Sequence, residues 1–295
     1  MEKLRLVAAL VVALGGSAAT AAKSPQSEWR AQIQDANIAY AKKPHAILKI
    51  QDAAYLGEGQ STTLTGVKGH PQTYRWVQGK VKGVLTVGFD GGRMHGIWAT
   101  KTVDDAALRI GMAIDSNIEI MGFPTQVSAG VMGVRIMLYN QLRAEAVNFK
   151  GLSYFPYDPT YLVTAKFTPD LKLPPRVFRT SRGTDKQFFH AGDATFTLNK
   201  KTFILPFYAD SRDAKTTIQL SAFFMDDLTG KGTYGAGRYV DISNFAAYPP
   251  KSATIDFNFA YNPNCARSAF YTCPVATDAI ATAVVAGERD PHALH

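Results

Sequence analysis

Cysteine is scarce in this sequence, which has 2 cysteines among 295 residues. So few thiols exclude a dense disulfide framework. Cys265 and Cys273 have no neighbouring histidine, so they make a poor zinc site. The 6 histidines are scattered, without a His-x-His or His-Glu-x-x-His spacing, and the segment from His190 to Asp193 is interpreted as a polar turn. The sequence therefore predicts no metal site and no cofactor.

Long hydrophobic runs and long basic runs are also missing. After residue 22 no stretch is apolar for long enough to cross a bilayer, which argues against a later membrane span. The formal net charge is +8, but no long basic run and no stripe of aromatic and basic side chains occurs, so nucleic acid is not predicted as a partner. The excess charge is interpreted as a solvated basic surface, with attraction to anionic surfaces or ligands as the alternative.

Residues 1–22 have the pattern of a secretory signal. Lys3 and Arg5 form a charged start, an apolar run follows, and small residues at 19–21 suit a cleavage site. A membrane anchor is the alternative, but the apolar run is short for a bilayer. We therefore expect the mature protein to be periplasmic or secreted.

Both cysteines lie near the C-terminal end, at Cys265 and Cys273. In the oxidising compartment that a secretory signal implies, we expect them to form one disulfide. The closed loop is short, so its entropic contribution is about 2–3 kcal/mol at most. A catalytic thiol is the alternative, which an oxidising compartment disfavours.

A helix is predicted over residues 24–43. Ser24 suits the N-cap, Pro25 suits the first helical position, and Pro44 ends the pattern. Apolar side chains fall at helical spacing on one side of this helix, namely Trp29, Ile33, Ala36 and Tyr40. We expect that side to pack on the rest of the protein.

From residue 45 onward the periodicity is that of strands. Short apolar or alternating runs are separated by turn residues, and the 13 Tyr, 17 Phe, 24 Gly and 15 Pro suit such a pattern. Residues 45–140 are interpreted as a β domain or as the first half of a sandwich, and residues 145–289 as a second β domain that carries the cysteines. The predicted fold is mostly β, an antiparallel sandwich or a partly open barrel, with one N-terminal helix.

The stretch 254–273 combines a strand pattern with polar residues and both cysteines. Alternation predicts an apolar wall on one face, formed by Ile255, Phe257 and Phe259. The opposite face would then carry Asp256 and Asn258. Asn262 precedes a proline and marks a turn.

A second cluster runs from Tyr234 to Arg238. As a strand it would place Gly235 and Gly237 on one face, which leaves room for a ligand or a neighbouring backbone. Arg238 on the other face could then clamp a carboxylate or a phosphate. The alternative is structural, with Arg238 paired to Asp256 inside the fold. A third glycine is missing, which excludes a dinucleotide fingerprint.

Several motifs in the second half stand in the order of a known family. They span residues 151–161, 227–239, 256–265, 273–274 and 286–288. These motifs resemble the bacterial and archaeal family called domain of unknown function 1684, over about 145–289. The resemblance implies membership of an uncharacterised family and brings no substrate, cofactor or catalytic assignment. Residues 275–279 depart from the family pattern, which usually has a proline pair and an asparagine there.

We expect the polar residues of these clusters to converge in one pocket. Its predicted lining is Tyr234, Arg238, Asp256, Asn258 and Asn262, and its predicted ligand is a small polar or anionic molecule. One alternative is a hydrolase that uses Asp256 or Glu288 with Arg238, where Glu288 enters because it lies in a family motif. Serine chemistry has no support, since neither Gly-x-Ser-x-Gly nor Ser-x-x-Lys occurs. A third interpretation is a structural or interaction module of the cell envelope, in which these residues only hold the sheet.

Overall fold

The computed structural model describes residues 24–213, 217, 219–243 and 248–292, and the predicted secretory signal at 1–22 lies outside them. Strands make up 49% and helices 15% of the structure. The sheets are antiparallel apart from the parallel pairing of residues 224–226 with residues 278–280, and one of the sheets is nearly closed like a barrel. The prediction of a mostly β fold with one N-terminal helix is confirmed. None of the helices in the described part is both long and apolar enough to cross a membrane.

The N-terminal helix, α1, covers Pro25–Asn37. Ser24 caps its first turn, because its Oγ accepts a hydrogen bond from the Ser27 amide at 3.3 Å. The helix continues as a π-helical turn over Ile38–Lys42. The helix predicted over 24–43 is therefore present, and its last turn is wider than that of a regular α-helix.

Strands β1 to β9 lie in the first half of the chain. They cover Ile50–Leu56, Gln60–Val67, His70–Gln78, Leu85–Asp90, Arg93–Trp98, Lys101–Val103, Met112–Asp115, Ile118–Ser128 and Val131–Asn140, and helix α2 (Asp105–Ile110) joins β6 to β7. They form a four-stranded sheet in the order β1-β9-β8-β7 and a five-stranded sheet in the order β3-β2-β4-β5-β6. Buried residues from both sheets form one hydrophobic core, among them Leu64, Val87, Ile120 and Ile136.

Helix α3 (Ala144–Val147) leads into the second half, which contains strands β10 to β17. They cover Leu162–Pro169, Pro175–Arg179, Asp185–Leu198, Lys201–Ala209, Gln219–Asp226, Arg238–Ser243, Ser252–Asp256 and Asp278–Ile280. Their sheet has the order β15-β14-β13-β12-β10-β16, with β11 on β12 and β17 on β14. Tyr261, after β16, pairs with Tyr239 of β15 by two backbone hydrogen bonds of 2.9 Å, which brings the two ends of the sheet together.

The large core of this second half is rich in phenylalanine, including Phe196, Phe207, Phe224 and Phe257. Each of these two main cores draws its residues from one half of the chain. The division into domains at 45–140 and 145–289 stays a prediction.

Two local predictions are wrong. The segment from His190 to Asp193 is part of the long strand β12, with a β-bulge between His190 and Gly192, rather than a turn. The strand predicted through Phe259 ends at Asp256, and the next three residues form a 3₁₀ turn. The cause is local, since the Asp256 carboxylate accepts a hydrogen bond from the backbone amide of Asn258 at 2.9 Å and so favours a turn.

Gly287 has a backbone conformation that glycine adopts without strain. Its φ is +77°, and an added Cβ would lie 2.6 Å from the Ala260 carbonyl oxygen and 2.8 Å from the Phe257 carbonyl oxygen. The two segments are this close because the Glu288 amide donates a hydrogen bond to the Ala260 oxygen at 2.7 Å. The missing side chain at residue 287 thus helps to set the position of Glu288.

We expect Gly287→Ala to lower the free energy of unfolding by about 3 kcal/mol or more. The added Cβ would strain the left-handed backbone conformation and would also clash with the neighbouring carbonyl oxygens. Gly230→Ala is the matched control: its φ is +75° and nothing lies within 4 Å of the added Cβ, so it should cost only about 1–2 kcal/mol. Denaturant unfolding of both variants measures the difference. Equal losses would show that the close approach to residues 257 and 260 does not matter.

Candidate functional site

A pocket of about 250 Å³ lies between the N-terminal helix and the second half of the chain. We call it the helix pocket. Its apolar lining is Ile33, Ala36, Leu152 and Phe259. Its polar lining is Gln32, Tyr40, Tyr154, Tyr261, Asn264 and Glu288. A concave, largely apolar site with a few polar groups is the usual form of a small-molecule site.

The helix is held over this pocket by polar anchors. The Trp29 Nε1 donates to the Asn258 carbonyl oxygen at 2.9 Å, and the Leu152 amide donates to Asn37 Oδ1 at 2.7 Å. Tyr40 lies in the π-helical turn, and its hydroxyl donates to Asn264 Oδ1 at 3.1 Å. Helix α1 has no fully buried residue, so its inner side covers the pocket without filling it. Such π turns are frequent at functional sites.

Glu288 is the charged residue in the pocket wall, and only 1% of it is exposed. Its Oε1 accepts a hydrogen bond from Arg267 Nη2 at 2.9 Å, and its Oε2 accepts one from the backbone amide of Asn262 at 2.8 Å. Burial raises the pKa of this carboxyl above its ordinary value, and the nearby Arg267 opposes that shift. The guanidinium of Arg267 also lies 5.8 Å from the ring centroids of Tyr40 and of Phe149.

Three tyrosines of the pocket stay protonated hydroxyl groups. Burial raises the pKa of Tyr40, Tyr154 and Tyr261 above the ordinary value. Tyr40 and Tyr261 use their hydroxyls inside the protein, on Asn264 and on Asp241 Oδ2 at 3.0 Å. Within the described residues, the Tyr154 hydroxyl has no hydrogen-bond partner, so it is available to a ligand.

Arg238 does not line this pocket. Only 1% of it is exposed, and its guanidinium donates to Asp226 Oδ2 at 3.0 Å, to the Val284 carbonyl oxygen at 2.9 Å and to the Ala286 carbonyl oxygen. The predicted pairing of Arg238 with Asp256 is wrong, since its carboxylate partner is Asp226. The preceding residues form a turn rather than a strand, in which the Gly237 amide donates a hydrogen bond to the Tyr234 carbonyl oxygen at 3.0 Å. Arg238 therefore binds the chain's own C-terminal segment.

Asp256 and Asn258 are bound to each other and to a neighbouring loop. Asn258 Nδ2 donates to Asp256 Oδ1 at 2.8 Å and to the Asp158 carbonyl oxygen at 2.9 Å, and Asn258 Oδ1 accepts from the Asp158 amide at 2.9 Å. Burial raises the pKa of Asp256. Neither residue is part of the helix pocket lining, although the Asn258 carbonyl anchors Trp29.

Asn262 is the predicted ligand residue that touches Glu288. Besides its amide contact to Glu288, its Nδ2 donates to the Arg289 carbonyl oxygen at 2.8 Å. It is fully buried. Asn262 thus positions the carboxylate at the pocket wall rather than contacting a ligand directly.

Tyr234 lies beside the two cysteines. Both cysteines are free thiols whose sulfur atoms are not at bonding distance, so the predicted disulfide is not formed in this structure. The Cys265 amide lies 3.3 Å from Cys273 Sγ. The hydrogen bond from Cys273 lowers the pKa of Cys265 to about 7, while the contact with Cys265 and burial raise the pKa of Cys273. Burial raises the pKa of Tyr234 to about 12.

The pocket contains residues that sequence reasoning missed, but several carried a signal. Tyr154 lies in the family motif at 151–161, and Tyr261 and Asn264 lie in the motif at 256–265. Tyr40 belongs to the apolar stripe that was expected only to pack. Arg267 stands outside these motifs, and no sequence pattern marks its pairing with Glu288.

We expect Arg238→Met to lower the free energy of unfolding by about 3–5 kcal/mol, because it leaves the Asp226 carboxylate buried without its partner. Adding Asp226→Asn should recover part of the loss, since no buried charge then stays unpaired. Denaturant unfolding of the two single variants and the double variant measures this coupling. Wild-type stability of Arg238→Met would contradict the structural role.

Comparisons with known proteins identify a family but no activity. Residues 147–289 match the family described as Protein of unknown function (DUF1684). The solution NMR structure of an uncharacterized protein of Haloarcula marismortui is 32% identical over a match that covers 49% of this chain and 79% of that chain, with a TM-score of 0.41. No curated protein matches the chain. The chain belongs to the DUF1684 family, whose function is unknown.

Proposed function

We propose that this protein binds a small, uncharged or cationic, partly apolar molecule in the helix pocket. The observation that carries the proposal is the Glu288 carboxylate, which is almost fully buried and yet lies in the pocket wall. Burying a carboxylate costs free energy, so a buried carboxylate in the wall of a cleft indicates a functional site. Arg267 and the Asn262 amide each occupy one oxygen, and both oxygens keep lone-pair capacity for a ligand donor.

The remaining lining supports a ligand with an apolar body and one polar end. Ile33, Leu152 and Phe259 offer apolar contact area, which supplies most of the affinity of a small ligand. The Tyr154 hydroxyl can donate to or accept from the polar end. Because the Tyr154 pKa is raised, the hydroxyl keeps its proton at neutral pH.

An anionic ligand has less support than a neutral one. The sequence predicts Arg238 as the clamp for an anion, but Arg238 is enclosed with Asp226 and cannot reach the pocket. The charge that does line the pocket is the Glu288 carboxylate, which repels an anion. Arg267 balances that charge without itself being part of the lining. We therefore propose a polar ligand that carries no negative charge.

The alternative interpretations account for fewer observations. A hydrolase that uses Asp256 with Arg238 would need both groups at a substrate, but Asn258 engages the first and Asp226 the second. Glu288 does line a pocket, but the groups that could act with it there are tyrosine hydroxyls, and Asn264 and Asp241 already engage those of Tyr40 and Tyr261. The raised pKa of Tyr154 makes its hydroxyl a poor base. A purely structural module fits Arg238 and the Glu288–Arg267 pair, but it gives no reason for an open pocket that is lined by the Tyr154 hydroxyl and the Glu288 carboxylate.

We also propose that the mature protein is periplasmic or secreted, since residues 1–22 have the pattern of a secretory signal. In that compartment thiol–disulfide exchange would join Cys265 and Cys273, whose two thiols lose two protons and two electrons to the disulfide oxidant. The two residues already lie side by side. The bond would fasten the segment that carries Asn264 and Arg267.

Mass spectrometry of the protein recovered from the periplasm or the medium tests both proposals. We expect the mature N-terminus to follow residue 22, and we expect alkylation to label Cys265 and Cys273 only after reduction. Two thiols that react without reduction would contradict the disulfide. Retention of residues 1–22 on a membrane-bound protein would contradict secretion.

The ligand proposal is tested by thermal unfolding against small alcohols, amines and carboxylic acids of matched size. We expect a saturable rise in Tm, on the order of 5 °C for a ligand well above its Kd, from an alcohol or an amine and not from an acid. Glu288→Gln keeps the shape of the side chain and should weaken amine binding more than alcohol binding, because only the amine depends on the charge.

Two further variants locate the site. Ala36→Phe places a ring in the helix pocket and should abolish the rise in Tm. Gln34→Phe puts the same ring on the exposed side of helix α1 and should leave the rise unchanged. Binding that survives Ala36→Phe, or binding of acids alone, would overturn the proposal, as would the lack of any rise.

A further inference from the structure

A second cleft, which shares no residue with the helix pocket, has a volume of about 430 Å³. We call it the proline cleft. Its apolar part is Pro174, Pro175 and Pro206, and its polar part is Arg176, His190, Tyr208 and Asp278. The three prolines come from the β10–β11 loop, the start of β11 and the middle of β13. Their rings form a rigid apolar surface beside charged groups of both signs.

Arg176 presents an available cation to this cleft. Side chains alternate along strand β11, so Arg176 shares a face with Phe178, whose ring packs 4.9 Å from the Tyr208 ring. The Arg176 side chain is exposed, and it has no ion-pair partner among the described residues. Its planar fork of donors suits a carboxylate.

Asp278 presents a carboxylate to the same cleft. It is half-buried at the start of β17, and its Oδ2 accepts a hydrogen bond from the Tyr208 hydroxyl at 3.0 Å. Burial raises its pKa, while Tyr208, Arg176 and His190 oppose that shift. Arg176 and Asp278 line the same cleft, yet the two do not form an ion pair within the described residues. A gap between opposite charges is left open.

His190 forms a fixed part of the rim. Its Nδ1 lies 3.3 Å from Asp170 Oδ2 and its Nε2 lies 3.0 Å from Asp193 Oδ1. Both ring nitrogens are therefore occupied by carboxylates, and the ring itself lies 5.9 Å from the Tyr208 ring. The β-bulge at His190 turns the strand at this point. Because its nitrogens are occupied, His190 shapes the cleft and leaves ligand recognition to Arg176 and Asp278.

We propose that the proline cleft binds a free α-amino acid, with its carboxylate on Arg176 and its ammonium group on Asp278. A ligand with a single charge would satisfy one of the two residues and face repulsion from the other. A zwitterion bridges the gap between them and pairs with both. The proline rings then receive the apolar part of its side chain.

The first experiment is a thermal-shift screen of the standard L-amino acids, followed by calorimetric titration of the one that raises Tm most. The same molecule without its amino group and the same molecule without its carboxylate are titrated beside it. We expect each truncated molecule to bind about tenfold to a hundredfold more weakly, because each loses one charge-assisted contact.

The second experiment compares two arginines of strand β11. Arg176→Gln should weaken binding of the amino acid by about tenfold or more, to the level of the molecule that lacks a carboxylate. Arg179→Gln removes a charge that is also exposed, pairs with Asp185 at 3.1 Å and lies on the other face of the strand, so it should leave binding unchanged. Asp278→Asn should weaken binding to the level of the molecule that lacks an amino group.

Several outcomes would overturn this proposal. They are the lack of any rise in Tm with an amino acid, unchanged affinity in Arg176→Gln, and equal binding of the molecule without an amino group, which would indicate a plain anion site. The Arg176→Gln result stands without Asp278→Asn, should that half-buried position not tolerate the change. Ala36→Phe, in the helix pocket, should leave this binding intact and separates the two sites.

Discussion

The pairing of the buried guanidinium of Arg238 with Asp226 constrains the second half of this protein. The guanidinium also binds the carbonyl oxygens of Val284 and Ala286, so it holds a strand-less C-terminal segment inside the fold. The Asp226 carboxylate accepts the Val284 amide at 2.9 Å in addition. Leaving one of these charges buried without its partner would cost about 3–5 kcal/mol. An enclosed Arg238 therefore requires the Asp226 carboxylate beside it.

The candidate site depends on that segment. Gly287 and Glu288 follow directly, and the Glu288 amide binds the Ala260 oxygen while the Phe155 amide binds the Gly287 oxygen at 2.9 Å. These contacts leave the Glu288 side chain pointing to the space under helix α1. Arg238 therefore holds the segment, Gly287 allows its close approach to Ala260, and together they set the position of Glu288. The short motif at 286–288 is better explained by this geometry than by a reaction.

The helix pocket and the proline cleft differ in the charges that line them. The helix pocket offers one carboxylate compensated by Arg267 and apolar walls, which suits a neutral or cationic molecule. The proline cleft offers two opposite charges that do not pair with each other, which suits a zwitterion. The charges differ because Glu288 is deep and must be paired, whereas Arg176 is exposed and water stabilises it without a partner.

The sequence by itself determined the mostly β fold, the N-terminal helix and the family, because periodicity, caps and separate motifs are local patterns. It also marked Glu288 and Asn262, which meet at the pocket wall. Only the tertiary structure decided that Arg238 pairs with Asp226 rather than with Asp256, and that Asp256 caps a turn instead of facing a ligand. Ion-pair partners and cavities depend on how distant segments pack, and neither leaves a periodic trace along the chain.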